Sequence, residues 1–435
     1  MPRKTQTTRS FLREGDAMRR SIEVYGGKRV RIGTLHFNAE GAKESAAFEY
    51  SATWLAHQGA FAIDPTLPLV TGPQFPGQGA PSVFFGCFAD SEPDGWGRKV
   101  ILRDRKKRGE TTTPNSLEFL LAIDDATRVG ALRFCEAGGA FLAAPTPGAR
   151  ATPPVIEMAH LLRAAAAVEA NTETAADLRL LLAQGSPLGG MRPKCTVIDA
   201  DGALFLAKFP SENDERSVVR GEALALEMAR QAGIEASSAR LVQVGKKPVL
   251  LVRRFDRHAG ERVMYQSART FIAARSASEY AYTDFVDALR QSSAAPTRDI
   301  EELWRRIVFS ILIKNTDDHL NNHGFLHAGR GQWRLAPVFD VNPAPDRAPE
   351  LKTMTTHETG YDATIDNAFA AAHAFGIKIT RSKEILGDVV AVTKRWRAIA
   401  KSTAVGMTAK EAAQFHDAFV HPQSIAAEQS LSRVS

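Results

Sequence analysis

Three side chains in one stretch of the sequence have the types and spacing of a phosphoryl-transfer site. They are Asp317, Asn322 and Asp340, in KNTDDHLNNHGFLHAGRGQWRLAPVFD from Lys314 to Asp340. In the protein-kinase arrangement an Asp of the catalytic loop accepts the proton of the acceptor hydroxyl. An Asn beyond four intervening residues holds Mg²⁺, and a second Asp, past a hairpin, holds the metal against the phosphates of ATP. Asp317 and Asn322 have that spacing, and Asp340 closes a strand-like run after an apolar piece. One amide and one carboxylate suffice, because Mg²⁺ is a hard cation that completes its shell with phosphate and water oxygens. Of the adjacent pair only Asp317 stands at the required distance from Asn322, so replacing Asp318 is expected to cost little in phosphotransfer. An Asp/Asn cluster between apolar runs is equally the composition of a turn, since both side chains hydrogen-bond their own backbone. The surrounding chain decides between the two.

Upstream, AQGSPLGGMRPKCTVI sets Gly185, Gly189 and Gly190 around Ser186, ahead of a hairpin that turns at Asp201-Gly202. A loop without Cβ atoms lets backbone N–H groups approach phosphates closely, although Gly-rich turns are more often simply loops. Lys208 follows in the apolar strand LFLAKFP, where an ammonium is costly to bury without a partner. It reads either as the strand lysine that contacts the α- and β-phosphates and pairs with a helix Glu, or as an edge-strand lysine that shields a sheet from association. In the helix SVVRGEALALEMARQAG the natural partner is Glu222, with Glu227 on another face. VLLVRRFDR is where a two-lobed kinase crosses from its small lobe to its large one. That places the backbone of Leu251 through Arg253 and Arg254 toward adenine, with Phe255 nearby. Gly-rich loop, strand Lys, helix Glu, crossing strand, Asp with Asn, then Asp occur in the order a kinase requires. The order, more than any single motif, favours a catalytic loop over a turn.

The elements that position these residues follow from pattern. SIEVYGGKRVRIGTLHFN alternates apolar and polar residues around Gly-Gly, as a β-hairpin does. FEYSATWLAHQ continues as a strand into a short helix, WGRKVILR follows a turn into a helix, and VGALRFCEAG reads as a strand. The Pro-, Gly- and Ala-rich segment 138–154 has the composition of a linker. Its position divides the chain into a basic, disordered leader (1–20), a β-rich N-terminal subdomain (21–150), a small lobe with the Gly-rich loop (151–255) and a helical large lobe (256–435). The fold class expected is α+β, bilobed and protein-kinase-like. With 44% apolar and 24% charged residues over 435 positions, the composition is that of a globular chain with a substantial core. No apolar run has the length of a membrane span. Three scattered cysteines fit reduced thiols in the cytoplasm better than a disulfide framework. The net charge of +6 permits an acidic partner, but no dense basic run interleaved with aromatics marks a nucleic-acid groove.

Several of these motifs resemble the HipA-type serine/threonine kinases, toxins of bacterial toxin–antitoxin modules. RIGTLHFN, FEYSATWLA, PDGWGR and VGALRF are similar to the family's N-terminal subdomain. GSPLGGMRPK, LAKFP, LLVRRFDR, NTDDHLNN and APVFDV are similar to its Gly-rich loop, lysine strand, hinge, catalytic loop and metal motif. The resemblance implies Asp317 as catalytic base, Asn322 and Asp340 as Mg²⁺ ligands, and Lys208, with Lys194, at the ATP phosphates. It further implies that Ser186 is phosphorylated by the enzyme itself, which draws the loop out of the ATP site. Asn315-Thr316 stands where ordinary protein kinases have His-Arg, and no Asp-Phe-Gly follows, both as expected of this family. By the same resemblance the substrate is a protein of translation, such as an aminoacyl-tRNA synthetase, and the partner is a DNA-binding antitoxin and, through it, operator DNA. Two other readings remain open at this stage: a small-molecule phosphotransferase on the same fold, and a non-catalytic protein that docks on an antitoxin–operator complex.

Overall fold

The structure, a computed structural model, describes residues 18–27, 29–93, 95–143, 152–182, 190–276 and 279–432. The N-terminal hairpin forms as its alternation dictates. Strands β1 (Met18–Tyr25) and β2 (Arg31–Glu40) pair antiparallel with Ile22 opposite Leu35. Ile22, Val24, Leu35 and Phe37 turn inward and are fully buried. With β3 (Lys43–Tyr50) and β4 (Arg133–Cys135) they make an antiparallel sheet in the order β3-β2-β1-β4. β1 begins at Met18, so the end of the stretch expected to be a disordered leader is strand. It is held there by pairing along the whole of β2, Met18 facing Ala39. The strand expected over VGALRFCEAG is only the three residues of β4, which pair with Glu23, Val24 and Tyr25 of β1.

A second antiparallel sheet, β5-β6-β8-β7, is built from β5 (Lys194–Ile198), β6 (Leu204–Lys208), β7 (Ala239–Val244) and β8 (Lys247–Arg253). The Asp201-Gly202 turn joins β5 to β6 with Gly202 at φ 78°, a left-handed conformation that costs a glycine nothing. The helix Val218–Gln231 follows β6 and buries Leu224, Leu226 and Met228. The other face of the sheet carries a separate core of Val197, Leu251, Leu161, Val168 and Leu178, joined by Trp96 and Val100. These last two belong to the helix Gly95–Lys107 of the N-terminal region. The packing therefore crosses the division expected near residue 150, and the break itself falls outside the described residues.

The short strands β9 (Arg257–His258) and β10 (Glu261–Arg262) lead to a three-stranded sheet, β11-β12-β13. Its members are β11 (Tyr265–Ser267), β12 (Gly324–Gly329) and β13 (Gln332–Leu335). Helices dominate from there to the C-terminal end of the described chain. The central one, Pro296–Leu312, starts on a proline that fits the first helical turn and has Leu303, Trp304, Ile307 and Ile311 buried. Each such side chain contributes about 1.5–3 kcal/mol relative to exposure. A continuous core runs from Phe37 and Phe48 of the first sheet through Phe271 and Phe325 to Trp304 and Leu386. The N-terminal sheet is thus packed on the large lobe. Cys87, Cys135 and Cys195 are buried free thiols. Among the described residues no helix is long and apolar enough to cross a membrane.

Candidate active site

The helix Pro296–Leu312 delivers the chain to the polar loop singled out above, and Lys314 reverses it at φ 50°. Asp317 comes next, its side chain 49% exposed and facing a cleft. Its own carbonyl accepts a hydrogen bond from Asn322 Nδ2 at 2.6 Å. That contact orients the Asn322 amide and leaves Oδ1 as the atom it can offer to a cation. Asp318 behaves differently from its neighbour. It is 1% exposed and accepts hydrogen bonds from Tyr282 Oη at 2.6 Å and from the Lys352 N–H at 2.6 Å. Its carbonyl accepts from Thr353 Oγ1 at 2.7 Å. Asp318 is thus the anchor of the loop, a structural role that the spacing did not reveal. Adjacent residues of an extended segment face opposite ways, so one carboxylate enters the cleft while the other enters the core.

Asp340 reaches the same place from the far side of β13. It adopts φ 54°, a left-handed conformation that costs a non-glycine residue about 1–3 kcal/mol and persists only where surrounding structure imposes it. Here Lys208 Nζ sits 2.8 Å from Asp340 Oδ1 and 2.6 Å from Glu222 Oε1. The strand β6 lies between β5 and β8, so Lys208 is not on an edge and the sheet-shielding alternative falls. Glu227 pairs instead with Arg230 and Gln231 on the outer face of its helix. Lys194 stands opposite Lys208 in the β5/β6 register and is 4% exposed.

The electrostatics follow from this packing. Burial alone would push Asp340 upward, but Lys208 and then Lys194 overcome it and hold the carboxyl down at about 2. For Glu222 burial prevails and the carboxyl is raised despite Lys208. Burial also raises Asp318, to about 6, and lowers His323 to about 3, so that imidazole is neutral. Asp340 is therefore held ionised beside the two lysines.

These groups line a cleft of about 490 Å³ whose wall includes Gly190, Lys194, Lys208, Glu222, Asp317 and Asp340. Gly190 adopts φ 109° at the end of the Gly-rich loop. Gly185, Ser186 and Gly189 lie outside the described residues. Arg253 and Phe255 line a narrow recess that shares Lys208, Glu222 and Asp340 with the cleft. Leu251 is turned away from both. Its side chain is in the second core, and β8 is paired on both sides there, with Ala207 and Arg240 opposite Leu251. Leu251 therefore does not line the recess that Arg253 and Phe255 line. Asn322 lines a small neighbouring void together with Asp318, His323 and Asp340.

Asn342 and Arg347 are among the residues of the cleft that were not anticipated. Asn342, two positions past Asp340, has a buried Oδ1 that accepts no hydrogen bond, while its Nδ2 is 3.4 Å from Asp340 Oδ1. A buried, unpaired acceptor beside a strongly ionised carboxylate fits a cation. Arg347 places Nη1 3.9 Å from Asp317 Oδ1, on a loop tied back by Lys314 Nζ to the Pro345 carbonyl at 2.7 Å. Both fall in VNPAPDR just after Asp340, a proline-containing stretch with no pattern that marks them out. Among the described residues no group of three or more His, Cys, Asp or Glu is arranged to hold a metal by itself. The donor set of one carboxylate and amide oxygens fits a Mg²⁺ that arrives with phosphates, and the flanking Lys208 and Lys194 fit the phosphates.

Fold and cleft together define a bilobed, kinase-like α+β architecture behind a β-rich N-terminal region. Two family descriptions match it: the HipA N-terminal domain over residues 23–135 and the HipA-like C-terminal domain over residues 186–396. The chain belongs to the HipA-like family. It is similar to a chain of the solved Shewanella oneidensis MR-1 complex of the toxin–antitoxin proteins HipA and HipB with operator DNA. That likeness has a TM-score of 0.68 at 16% identity and covers 95% of this chain and 100% of that one. Among curated proteins it is similar to the "Putative kinase Y4mE" of Sinorhizobium fredii, 23% identical over 230 residues, covering 45% of this chain and 53% of that protein. A Haemophilus influenzae protein of like description is 23% identical over 189 residues, covering 38% of this chain and 55% of that protein. The alignments thus span about half the length of these curated relatives.

Proposed function

We propose that this protein is an ATP-dependent serine/threonine protein kinase of the HipA toxin type. The observation that carries the reading is the joining of both lobes at Lys208, which contacts Glu222 of the small lobe and Asp340 of the large lobe within 2.8 Å. Such a lysine, strand-borne and doubly paired, serves to hold a triphosphate. In this reading Lys208 and Lys194 bind the phosphates, and Asp317 orients the acceptor hydroxyl and takes its proton. Asn322 and Asp340, with Asn342 beside them, are the residues that would hold Mg²⁺. That ion, when bound, neutralises charge on the phosphate oxygens. Phe255 and the backbone around Arg253 and Arg254 receive adenine. Catalysis is then positioning and charge stabilisation, with no covalent intermediate on the protein.

The reading extends to regulation and partners. Ser186 is the residue the enzyme phosphorylates on itself, and close to two added negative charges beside the ATP phosphates disfavour the nucleotide. The partner is a DNA-binding antitoxin and, through it, operator DNA. The acceptor is a protein, in translation by family likeness, and the compartment is the cytoplasm. The test is transfer of label from the γ-phosphate of ATP, with Mg²⁺, to proteins of a cell extract. Wild-type protein should label discrete serine- or threonine-containing proteins and Asp317→Asn should not. Equal labelling by both would refute the reading. Mass spectrometry of the same incubation decides whether Ser186 is modified.

A further inference from the structure

The chain leaves β8 for the large lobe through Arg254, Phe255 and Asp256, and this crossing is gripped from outside both lobes. Arg254 and Asp256 are 2% and 1% exposed. Arg254 Nε donates to Asp256 Oδ1 at 2.7 Å, and Nη1 donates to the Thr127 carbonyl at 2.9 Å. The Gly130 N–H donates to Asp256 Oδ2 at 2.7 Å, and Arg257 Nη1 donates to the same oxygen at 2.8 Å. Arg257 Nη2 reaches the carbonyl of Arg128 at 2.7 Å. Arg257 Nη2 also reaches the Ala126 carbonyl at 3.1 Å, so every partner on the N-terminal side is a main-chain group of one short loop, 126–130. The loop is itself fixed. Gly130 has φ 71°, and a Cβ there would stand 3.1 Å from the backbone nitrogen of Tyr265.

Phe255 lies between the two gripped residues. Its ring packs 5.3 Å from that of Phe339, the residue before Asp340, and lines the recess shared with Lys208 and Glu222. Segments that join two lobes are the usual place for hinge motion. A buried ion pair whose every partner is held, by contrast, admits no small displacement without stranding a charge. We infer that the loop 126–130 of the N-terminal domain is a positioning element of the nucleotide site. Through Arg254 and Asp256 it sets where Phe255 and the crossing backbone stand, so the N-terminal domain governs nucleotide affinity. The inference rests on the proposal that the cleft binds ATP. It assigns to the N-terminal domain a task inside the kinase reaction, and any partner that displaces the loop is read out as a change in nucleotide binding.

The test uses the full chain. Asp256→Asn keeps the size of the side chain but leaves Arg254 and Arg257 without their counter-ion. It should raise the KM for ATP about tenfold while kcat at saturating ATP stays within twofold, and weaken a non-hydrolysable ATP analogue equally in calorimetry. Arg257→Lys keeps the charge but not the fork that reaches both Asp256 and the loop. It should shift affinity in the same direction by about threefold, and it decides the matter if Asp256→Asn does not fold. Unchanged affinity in a folded variant, or a fall in kcat at unchanged KM, would overturn the inference. Wild-type protein that binds no ATP analogue would overturn the ATP-site proposal first, and the inference with it.

Discussion

Lys208 and Asp340, separated by 132 positions in sequence, meet at 2.8 Å and close the small lobe onto the large one. Glu222 shares the same ammonium, at 2.6 Å. Burial disfavours charge on all three groups, and the cluster is stable because two carboxylates face one lysine with a second lysine near them.

Replacing Asp340 by Asn should weaken Mg²⁺-dependent binding of an ATP analogue by roughly tenfold or more, about 1.4 kcal/mol or more. The substitution takes away the anionic ligand and leaves only amides around the metal. Calorimetry with and without Mg²⁺ checks this. An unchanged Mg²⁺-dependent affinity would remove Asp340 from the site.

Asp317 and Asp318 should separate cleanly into activity and stability. Asp317→Asn should abolish phosphotransfer with the melting temperature nearly unchanged, because its side chain is half exposed. Asp318→Ala should destabilise the fold by several kcal/mol, since Tyr282 Oη and the Lys352 N–H would be left buried without an acceptor. Thermal melts of the two variants beside wild type make the comparison.

Asp318 also carries a pH dependence of definite sign. Its carboxyl is raised to about 6 in the folded state, against about 3.9 in an unfolded chain. The native state therefore binds the extra proton between those values, and stability from this group is present below about pH 4 and lost as pH rises through 6. The loss is about 2–3 kcal/mol. Asp318→Asn does not titrate, so its stability relative to wild type should improve between pH 4 and 7 and then level off. Urea titrations across that range measure it, and a difference that is flat with pH would show that Asp318 stays ionised.

How much of this was legible in the sequence differs by residue. The order of Lys208, Glu222, Asp317, Asn322 and Asp340 could be read because each sits in a strong local pattern, a strand, a helix or a polar loop between apolar runs. The alternation of Ile22 and Val24 likewise placed the first sheet. What could not be read depends on contacts between distant segments. Asp317 and Asp318 are chemically identical, and only Tyr282 and Lys352 decide which is buried. Leu251 looked like part of the adenine crossing until its pairing with Ala207 and Arg240 placed it mid-sheet. Trp96, far up the chain, completes the core of the second sheet. The composition of segment 138–154 carries no information on packing across it.

The helix that bears Glu222 depends on one such distant contact. A Cβ on Gly221 would stand 2.8 Å from the ring of Phe415, a buried side chain that must shift to admit it. Gly221→Ala should therefore destabilise by about 1–3 kcal/mol and, by tilting the helix, weaken the Lys208 contact and lower phosphotransfer. Pairing it with Phe415→Leu should restore part of both. Melting curves and transfer rates of the single and double variants test the coupling.

The central claim is that the cleft between Lys208 and Asp317 transfers phosphate from ATP to proteins. Quantitative phosphoproteomics after brief induction of the wild-type protein, beside an Asp317→Asn control made at the same level, tests it most directly. The account predicts a small set of serine or threonine sites that rise with wild-type protein and not with the control. Indistinguishable phosphoproteomes from two well-folded, equally abundant proteins would contradict it.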